Sequence, residues 1–434
     1  MHSLKLENVR SVRNGELVIH RGPLGASDAD IIGIYGQNGS GKTTVVDAFS
    51  VMQHIMRGAP LPEEAEWLIN MESDTANLLF RFIVEEPLDQ QVFGQWEVTY
   101  EVTLARSDDV GAYIAGERIR GKQLVPKTCN ARPRDWFVSR ETMDGPPIGP
   151  DSLWREMRAG GQRIENEIRT EQAIARHEGR SFLFSKFFLA ELMKSGNLSP
   201  EVSIIRDLSR YAHTCLFVVN KVHTGLIYTN LVLPLSFRHA HSGDARITAS
   251  GGTHMLALED QDVLPAHWFE DFEYLLTELN IVLESLVPGF SLRAEVLSER
   301  LNQQKEKEIK FELMASRGTI EIPFRYESNG VRRLVSILSL LLSVYNDPAV
   351  CVVIDELDVG IFEYLLGQLI DLLAQSGRGQ LIFTSHNMRA LEVLRPPQIV
   401  VTTTDAEALT RLQSFPPRHG HAFAADVSDI SSCR

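Results

Sequence analysis

The spacing of apolar and polar residues predicts that the chain begins with strands and a helix. Short apolar-rich runs at 4–9, 16–20 and 31–35 indicate three strands, and the third leads through a glycine-rich loop into a helical run at 42–56. The alternation is clearest at 96–104, where apolar residues and Glu or Thr take turns. A period of two with one polar face is typical of an antiparallel strand.

The middle of the chain changes to a helical period from about residue 150. Residues 162–180 are charged on nearly every side, and residues 268–286 carry apolar side chains at helical spacing. Two alternating runs follow, at 309–315 and 319–324, and the short polar link between them predicts a β-hairpin.

The last third alternates between helix and strand. Helical runs at 334–346 and 362–374 each precede a short apolar run, at 350–355 and 380–385. Alternating helices and buried strands predict a parallel sheet. The residues after Phe415 have no clear period, and we expect them to be loosely ordered.

The composition is that of a globular protein. Of the 434 residues, 44% are hydrophobic and 23% are charged, which allows a substantial core. The best apolar run is about half of the roughly 20 residues that span a bilayer. The N-terminus lacks the apolar segment of a signal peptide, and the four cysteines form no CxxC pair. We therefore expect a cytoplasmic protein without a membrane partner.

The net charge limits the classes of partner. A value of −14 argues against a surface built for non-specific nucleic-acid binding, although it leaves a local basic groove open. Arginines between residues 155 and 180 are interleaved with glutamates, which favours a solvated helix or a dimer face over a nucleic-acid surface.

The glycine-rich loop predicts a site for nucleotide phosphates. Its sequence GQNGSGKT fits the pattern G-x-x-x-x-G-K-[ST], in which backbone N–H groups cradle phosphate oxygens. The lysine would contact the β- and γ-phosphates, and the threonine after it would coordinate Mg²⁺. A chance glycine-rich turn is the alternative, but the strand before it and the helix after it argue against chance. The candidate nucleotide-binding residues of the loop are Gly36, Asn38, Gly39, Ser40, Gly41, Lys42, Thr43 and Thr44.

Two later strands end in residues suited to hydrolysis. The run VCVVIDE brings Asp355 to a position for binding Mg²⁺ and Glu356 to one for polarising water. The next apolar strand ends in SHN, where His386 can hydrogen-bond the γ-phosphate or the attacking water. Either feature alone is common, but their order after a phosphate loop predicts a hydrolytic site. The predicted catalytic residues are Glu356, His386 and Lys42, and the predicted metal ligands are Thr43 and Asp355.

A fourth segment, SNG at residues 328–330, opens the helix that precedes Asp355. Free N–H groups at a helix N-terminus attract anions, so Ser328 and Gly330 are further candidates for nucleotide binding. An ordinary N-cap serine is the alternative.

These motifs together resemble the ATP-binding-cassette (ABC) ATPases of the SMC, RecF and overcoming-lysogenization-defect branch. The strings around Asp355 and His386 are most similar to bacterial AAA-family ATPases of phage-defence systems. The resemblance covers about residues 1–50 and 320–415 and implies an α/β fold, an ABC-ATPase-like P-loop cassette of mixed β-sheets with flanking helices. A mostly helical insertion would split the cassette. The domains we expect are 1–145 (N-terminal cassette part), 146–286 (helical insertion for dimerisation or partner binding) and 287–434 (C-terminal cassette part).

The resemblance also implies ATP and Mg²⁺ as ligands and a homodimer. By this resemblance, Ser328 and Gly330 of one subunit would complete the phosphate site of the other subunit. Hydrolysis would open the dimer, which would serve as a switch. The chain ends about 50 residues past His386, so we expect no Toprim domain and instead a separate effector such as a nuclease or toxin. An SMC/RecF-like DNA-repair ATPase and a nucleotide-gated scaffold with negligible hydrolysis are the alternatives. Binding of nucleic acid and assembly into an oligomer larger than a dimer stay open.

Several positions depart from the family pattern or leave a choice. Phe362 stands where these ATPases commonly have the D-loop aspartate, and Arg10 stands where relatives have an arginine near the nucleotide. His239, His241 and Asp244 have a spacing that a metal could use, although a solvated loop is favoured. The candidates for the Q-loop glutamine are Gln90, Gln91, Gln95 and Gln123.

Overall fold

The strands form separate sheets, and the parallel sheet combines strands from distant parts of the chain. The computed structural model describes residues 1–20, 29–89, 92–125, 132–140, 146–158, 161–194, 199–220, 232–236, 253–257, 261–301, 305–402 and 413–414. The strands are β1 (Ser3–Val9), β2 (Val12–Val18), β3 (Asp30–Gly36), β4 (Thr75–Asp89), β5 (Val92–Ser107), β6 (Gly111–Val125), β7 (Arg134–Arg140), β8 (Ile148–Gly149), β9 (Leu216–Val219), β10 (Val232–Ser236), β11 (Thr253–Ala257), β12 (Asp262–Pro265), β13 (Phe290–Leu301), β14 (Lys307–Arg317), β15 (Ile320–Pro323), β16 (Cys351–Ile354), β17 (Gln380–Thr384), β18 (Ile399–Thr402) and β19 (Gln413–Ser414).

The helices account for most of the other described residues. They are α1 (Lys42–Met56), α2 (Asp151–Arg158), α3 (Gln162–His177), α4 (Lys186–Lys194), α5 (Pro200–Thr214), α6 (Ala266–Leu286), α7 (Asn329–Asn346), α8 (Glu363–Ser376) and α9 (Arg389–Val393). In the described part of the chain, no helix is long and apolar enough to cross a membrane.

The first sheet is antiparallel. Its seven strands lie in the order β2-β1-β4-β5-β6-β7-β8. In β5, Trp96, Val98 and Tyr100 are buried while Glu97 and Thr99 between them are partly exposed. The alternating run therefore forms the antiparallel strand that its period predicted, with its apolar face on the core.

The second sheet is the parallel sheet that positions the candidate site. Its strands lie in the order β19-β18-β3-β17-β16-β9, and all neighbouring pairs except β18 with β19 are parallel. Because parallel strands end at the same edge of a sheet, the segments after β3, β16 and β17 lie side by side. These are the segments that contain the glycine loop, Asp355 and His386.

Helices cover both faces of the parallel sheet. Val353 and Ile382 belong to one apolar core, together with residues of α1, while Val352 and Phe383 belong to a second core on the opposite face with α7 and α8. Strands buried on both faces are expected where helices pack on each side. The α/β fold class, with mixed sheets and flanking helices, is confirmed.

The stretch 146–286 contributes both helices and a core strand. It contains helices α2 to α6, and it also contains β9, which pairs in parallel with β16 at the edge of the parallel sheet. The expected domain boundaries stay predictions. A smaller sheet of order β12-β14-β13, with β15 on β14, follows, and β14 and β15 form the predicted hairpin. The tail after Phe415 lies outside the described residues.

Candidate functional site

Backbone geometry explains the glycines of the loop between β3 and α1. Gly39 has a φ of 82° and Gly41 a φ of 91°, in the left-handed region that favours glycine. At Gly36 the limit is space, because an added Cβ would lie 2.3 Å from the hydroxyl oxygen of Thr402. The loop therefore needs glycine at each of these positions.

Polar contacts inside the loop hold a positive charge where phosphates would bind. The ammonium of Lys42 is mostly buried and donates to the carbonyl oxygens of Gly36 (2.7 Å) and Gln37 (2.9 Å). The hydroxyl of Ser40 donates to the same Gln37 oxygen at 2.7 Å and lies 2.5 Å from the Thr402 hydroxyl. Ser40 thus holds the loop against Thr402 at the end of β18, while Lys42 and the start of α1 place positive charge where phosphates would bind.

Asp355 lies directly beside the phosphate loop. Its Oδ2 accepts a hydrogen bond from the Thr43 hydroxyl at 3.1 Å, and its Oδ1 accepts one from the Thr384 hydroxyl at 2.5 Å. The carboxylate is almost completely buried. A hydroxyl and a carboxylate in contact are oxygen donors of the kind that Mg²⁺ takes. No group of three His, Cys, Asp or Glu suited to a metal occurs among the described residues. The pair therefore fits an ion that takes few protein ligands and binds phosphate oxygens as well, as Mg²⁺ does.

Glu356 has an unusual backbone conformation. Its φ is 53°, a left-handed value that costs a non-glycine residue about 1–2 kcal/mol. Its N–H donates to the Thr384 hydroxyl at 2.8 Å, and its carbonyl accepts from the N–H of Val359 at 3.1 Å. The side chain is half-buried at the cavity. Backbone strain of this kind is concentrated at functional sites.

One cavity brings most of the predicted residues together. It has a volume of about 440 Å³. His386 is exposed and lines the cavity, and its backbone N–H lies 3.2 Å from a carboxylate oxygen of Asp358. Gly36 and Ser40 lie in the loop but do not line the cavity. The predicted residues that line it are Asn38, Gly39, Gly41, Lys42, Thr43, Thr44, Asp355, Glu356 and His386.

The cavity also contains residues that the sequence motifs did not indicate. Asp47, one turn after Thr43 in α1, forms an ion pair with Arg10 at 2.5 Å, and both line the cavity. Burial raises the pKa of Asp47, although the Arg10 guanidinium opposes this shift. Helical spacing alone places Asp47 on the same face as Thr43, so its position near the phosphate loop could have been predicted. Thr384 lies at the end of a predicted strand, and no pattern around it indicates that it contacts Asp355.

Ser328 and Gly330 do not line the cavity. Ser328 caps α7, since its hydroxyl accepts a hydrogen bond from the Val331 N–H at 3.4 Å. A Cβ on Gly330 would lie 3.9 Å from the carbonyl oxygen of Gly360, in the turn after Asp355. The ordinary N-cap is therefore present, and nucleotide binding by this segment within one subunit has no support.

The remaining candidates within the described residues do not line the cavity. Gln95 donates to Glu85 and Gln123 donates to the Val125 carbonyl, and neither lines the cavity. Phe362, at the usual position of the D-loop aspartate, is 75% exposed. Helix α3 forms ion pairs within itself, such as Arg163–Glu167 and Arg169–Glu165, as expected for a solvated helix. Gln90, Gln91, His239, His241 and Asp244 lie outside the described residues.

Comparisons with known proteins find a family match for the N-terminal segment. A family model described as "AAA domain" matches residues 3–52, and no curated protein matches the chain. Among solved structures, the chain is similar to an SMC head bound to the C-winged helix domain of ScpA, at 13% identity, with 95% of this chain and 97% of that chain covered and a TM-score of 0.48. It is similar to an SMC head domain with an extended coiled coil bound to the C-terminal domain of ScpA, from Pyrococcus furiosus (12% identity, 99% and 98% covered, TM-score 0.42). It is also similar to the SMC head domain from Thermotoga maritima (13% identity, 96% and 99% covered, TM-score 0.38). The family match confirms the P-loop ATPase resemblance for the segment that contains the phosphate loop.

Proposed function

We propose that this protein binds ATP with Mg²⁺ and hydrolyses it in the cavity beside α1. The observation that carries the proposal is the convergence of three distant segments. Lys42 and Thr43 come from the phosphate loop, Asp355 and Glu356 follow β16, and His386 follows β17, yet all five line one cavity.

Each side chain has a role that its surroundings support. The buried ammonium of Lys42 attracts phosphate oxygens, and Thr43 and Asp355, already in contact, would hold Mg²⁺. The ion supplies positive charge to the phosphate oxygens when it is bound. The Glu356 carboxylate orients a water and accepts its proton. His386 donates a hydrogen bond toward the terminal phosphate.

We further propose that two copies of the chain act together as a switch. Ser328 and Gly330 lie outside the cavity of their own subunit, so a contact with nucleotide would need a second copy. Binding would then close the dimer and hydrolysis would open it. The effector, a nuclease or toxin, and a role in phage defence rest on the family resemblance alone. A DNA-repair role of the SMC/RecF kind is the other reading of that resemblance.

Phosphate release, measured beside the affinity for a fluorescent ATP analogue, tests the enzymatic part. Lys42→Met should lose nucleotide binding because it removes the positive charge from the loop. Glu356→Gln should keep binding and lose at least about 100-fold in turnover, the usual contribution of a general base. Glu278→Gln, at a carboxylate that accepts from Asn346 away from the cavity, is the matched control and should behave as wild type.

The scaffold alternative gives a different result in the same assay. A wild-type protein that binds ATP without measurable turnover, and in which Glu356→Gln changes nothing, would support a nucleotide-gated scaffold. The enzymatic proposal would then be wrong.

A further inference from the structure

We infer that Arg333 is a positioning residue for hydrolysis, because it holds the backbone of Glu356 in place from helix α7. The inference rests on the proposed function, since it concerns how the catalytic carboxylate is oriented. Arg333 does not line the cavity and lies three residues after Gly330, in the first turns of α7.

The contacts of Arg333 are with main-chain oxygens of the turn after β16. Its Nη2 donates to the carbonyl of Glu356 at 3.4 Å, and its Nε donates to the carbonyl of Val359 at 3.3 Å. The stem of the side chain lies against Gly360, where an added Cβ would be 3.4 Å from the Arg333 Cγ. The side chain of Arg333 thus spans the turn, with its guanidinium on Glu356 and Val359 and its stem on Gly360.

The turn needs such support because of the conformation of Glu356. With a φ of 53°, this residue is held in a region that L-residues rarely adopt. On one side, the hydroxyl of Thr384 accepts the Glu356 N–H at 2.8 Å. On the other, Arg333 donates to the Glu356 carbonyl. The peptide groups before and after the residue are fixed together, and their orientation decides where the carboxylate points.

A purely stabilising role explains Arg333 less well. The side chain is only 2% exposed, and burial lowers its pKa to about 10, although the carboxylates of Asp358 and Glu356 oppose this shift. Its Nη1 is buried and has no hydrogen-bond partner among the described residues. A buried charge with an unpaired N–H costs free energy that an apolar side chain of similar volume would not. The two bonds to the turn therefore have their value in geometry rather than in stability.

The test compares Arg333→Gln and Arg333→Lys with a matched control. Arg57 is a half-buried arginine whose Nε donates to a main-chain carbonyl, that of Ala212 at 2.8 Å, but it lies at the far end of α1. Arg57→Gln therefore removes a comparable guanidinium without touching the turn. Two quantities are measured: kcat and KM for ATP, and amide hydrogen exchange of residues 355–360 in nucleotide-free protein.

The inference predicts a specific pattern. In Arg333→Gln, kcat should fall about tenfold or more while KM changes less than about threefold, since small misplacements of a catalytic group cost up to about 100-fold. Exchange in the turn should be faster, and exchange in the phosphate loop unchanged. Arg333→Lys should show a smaller loss, at least about threefold, because an ammonium cannot reproduce the planar fork. Arg57→Gln should change neither kcat nor exchange in the turn.

Failure of the inference differs from failure of the proposed function. Normal wild-type turnover, with kcat in both Arg333 variants within about twofold of wild type, would overturn the inference alone. An equal loss of kcat in Arg57→Gln would also overturn the inference. The same holds for a loss of ATP binding in the Arg333 variants that parallels their loss of kcat. If Arg333→Gln does not fold, Arg333→Lys decides by the same criteria. Absent wild-type turnover would instead refute the proposed function, and the inference with it.

Discussion

Replacement of Thr384 by valine should affect both stability and metal dependence, because one hydroxyl joins the two acidic residues of the site. The hydroxyl is completely buried, donates to Asp355 at 2.5 Å and accepts from the Glu356 N–H at 2.8 Å. Valine has nearly the same shape as threonine but can neither donate nor accept a hydrogen bond. The substitution therefore leaves a buried carboxylate oxygen and a buried N–H each without this partner.

The expected cost follows from these two contacts. A hydrogen bond to a charged group contributes about 1.5–3 kcal/mol, and an orphaned buried N–H costs about 1–3 kcal/mol. With partial relaxation, we expect Thr384→Val to lower the free energy of unfolding by about 3–5 kcal/mol. Loss of a residue that orients a metal ligand typically weakens metal affinity by about 10–100-fold. The Mg²⁺ concentration for half-maximal ATP hydrolysis should rise within that range.

Two measurements test this reasoning. Urea unfolding gives the free energy of unfolding, and a Mg²⁺ titration of ATP hydrolysis at fixed ATP gives the metal dependence. Thr277→Val is the control, because its exposed hydroxyl only donates to the Glu273 carbonyl at 3.0 Å and should matter by less than about 0.5 kcal/mol. A Thr384→Val protein destabilised by less than about 1 kcal/mol, with an unchanged Mg²⁺ titration, would refute the role of this hydroxyl.

Three further substitutions probe other parts of the molecule. Asp47→Asn removes a negative charge from the cavity and releases Arg10, so ATP should bind about 3–10-fold more tightly in a low-salt equilibrium titration; weaker binding would contradict this. Gly36→Ala places a methyl group 2.3 Å from a hydroxyl oxygen and should abolish ATP binding, whereas Gly116→Ala, with nothing within 4 Å, should not; equal affinities would refute the steric account. Burial raises the pKa of Glu117, so the folded protein keeps a proton that the unfolded chain loses. The free energy of unfolding should therefore fall as pH rises from about 4.3, the ordinary pKa, through the raised native pKa. Urea unfolding should show a flatter pH dependence for Glu117→Gln, and an unchanged slope would count against this assignment.

Local signals made the centre of the site predictable. A glycine-rich loop between a strand and a helix, and acidic residues at the end of an apolar strand, are short contiguous patterns. Because the apolar runs predicted parallel strands, the convergence of Lys42, Asp355 and His386 at one sheet edge could be expected before the structure was known.

Features that depend on tertiary contacts could not be predicted in this way. Strand β9 is a run of four apolar residues after a long helix, too short for its period to distinguish strand from helix. The contacts of Thr384 and Arg333 join segments far apart in sequence, and nothing in either segment indicates the partner. Ser328 shows the reverse case, because its local pattern fits both a cap and an anion site, and within one subunit the structure supports only the cap.

We propose that ATP is bound between two copies of the chain and hydrolysed there. The most direct test is the mass in solution of Glu356→Gln, measured by light scattering with and without ATP and Mg²⁺. We expect the mass to double with ATP and Mg²⁺, and we expect that adding Lys42→Met to the same protein prevents the change. A mass that stays constant while the protein demonstrably binds ATP would contradict the shared site.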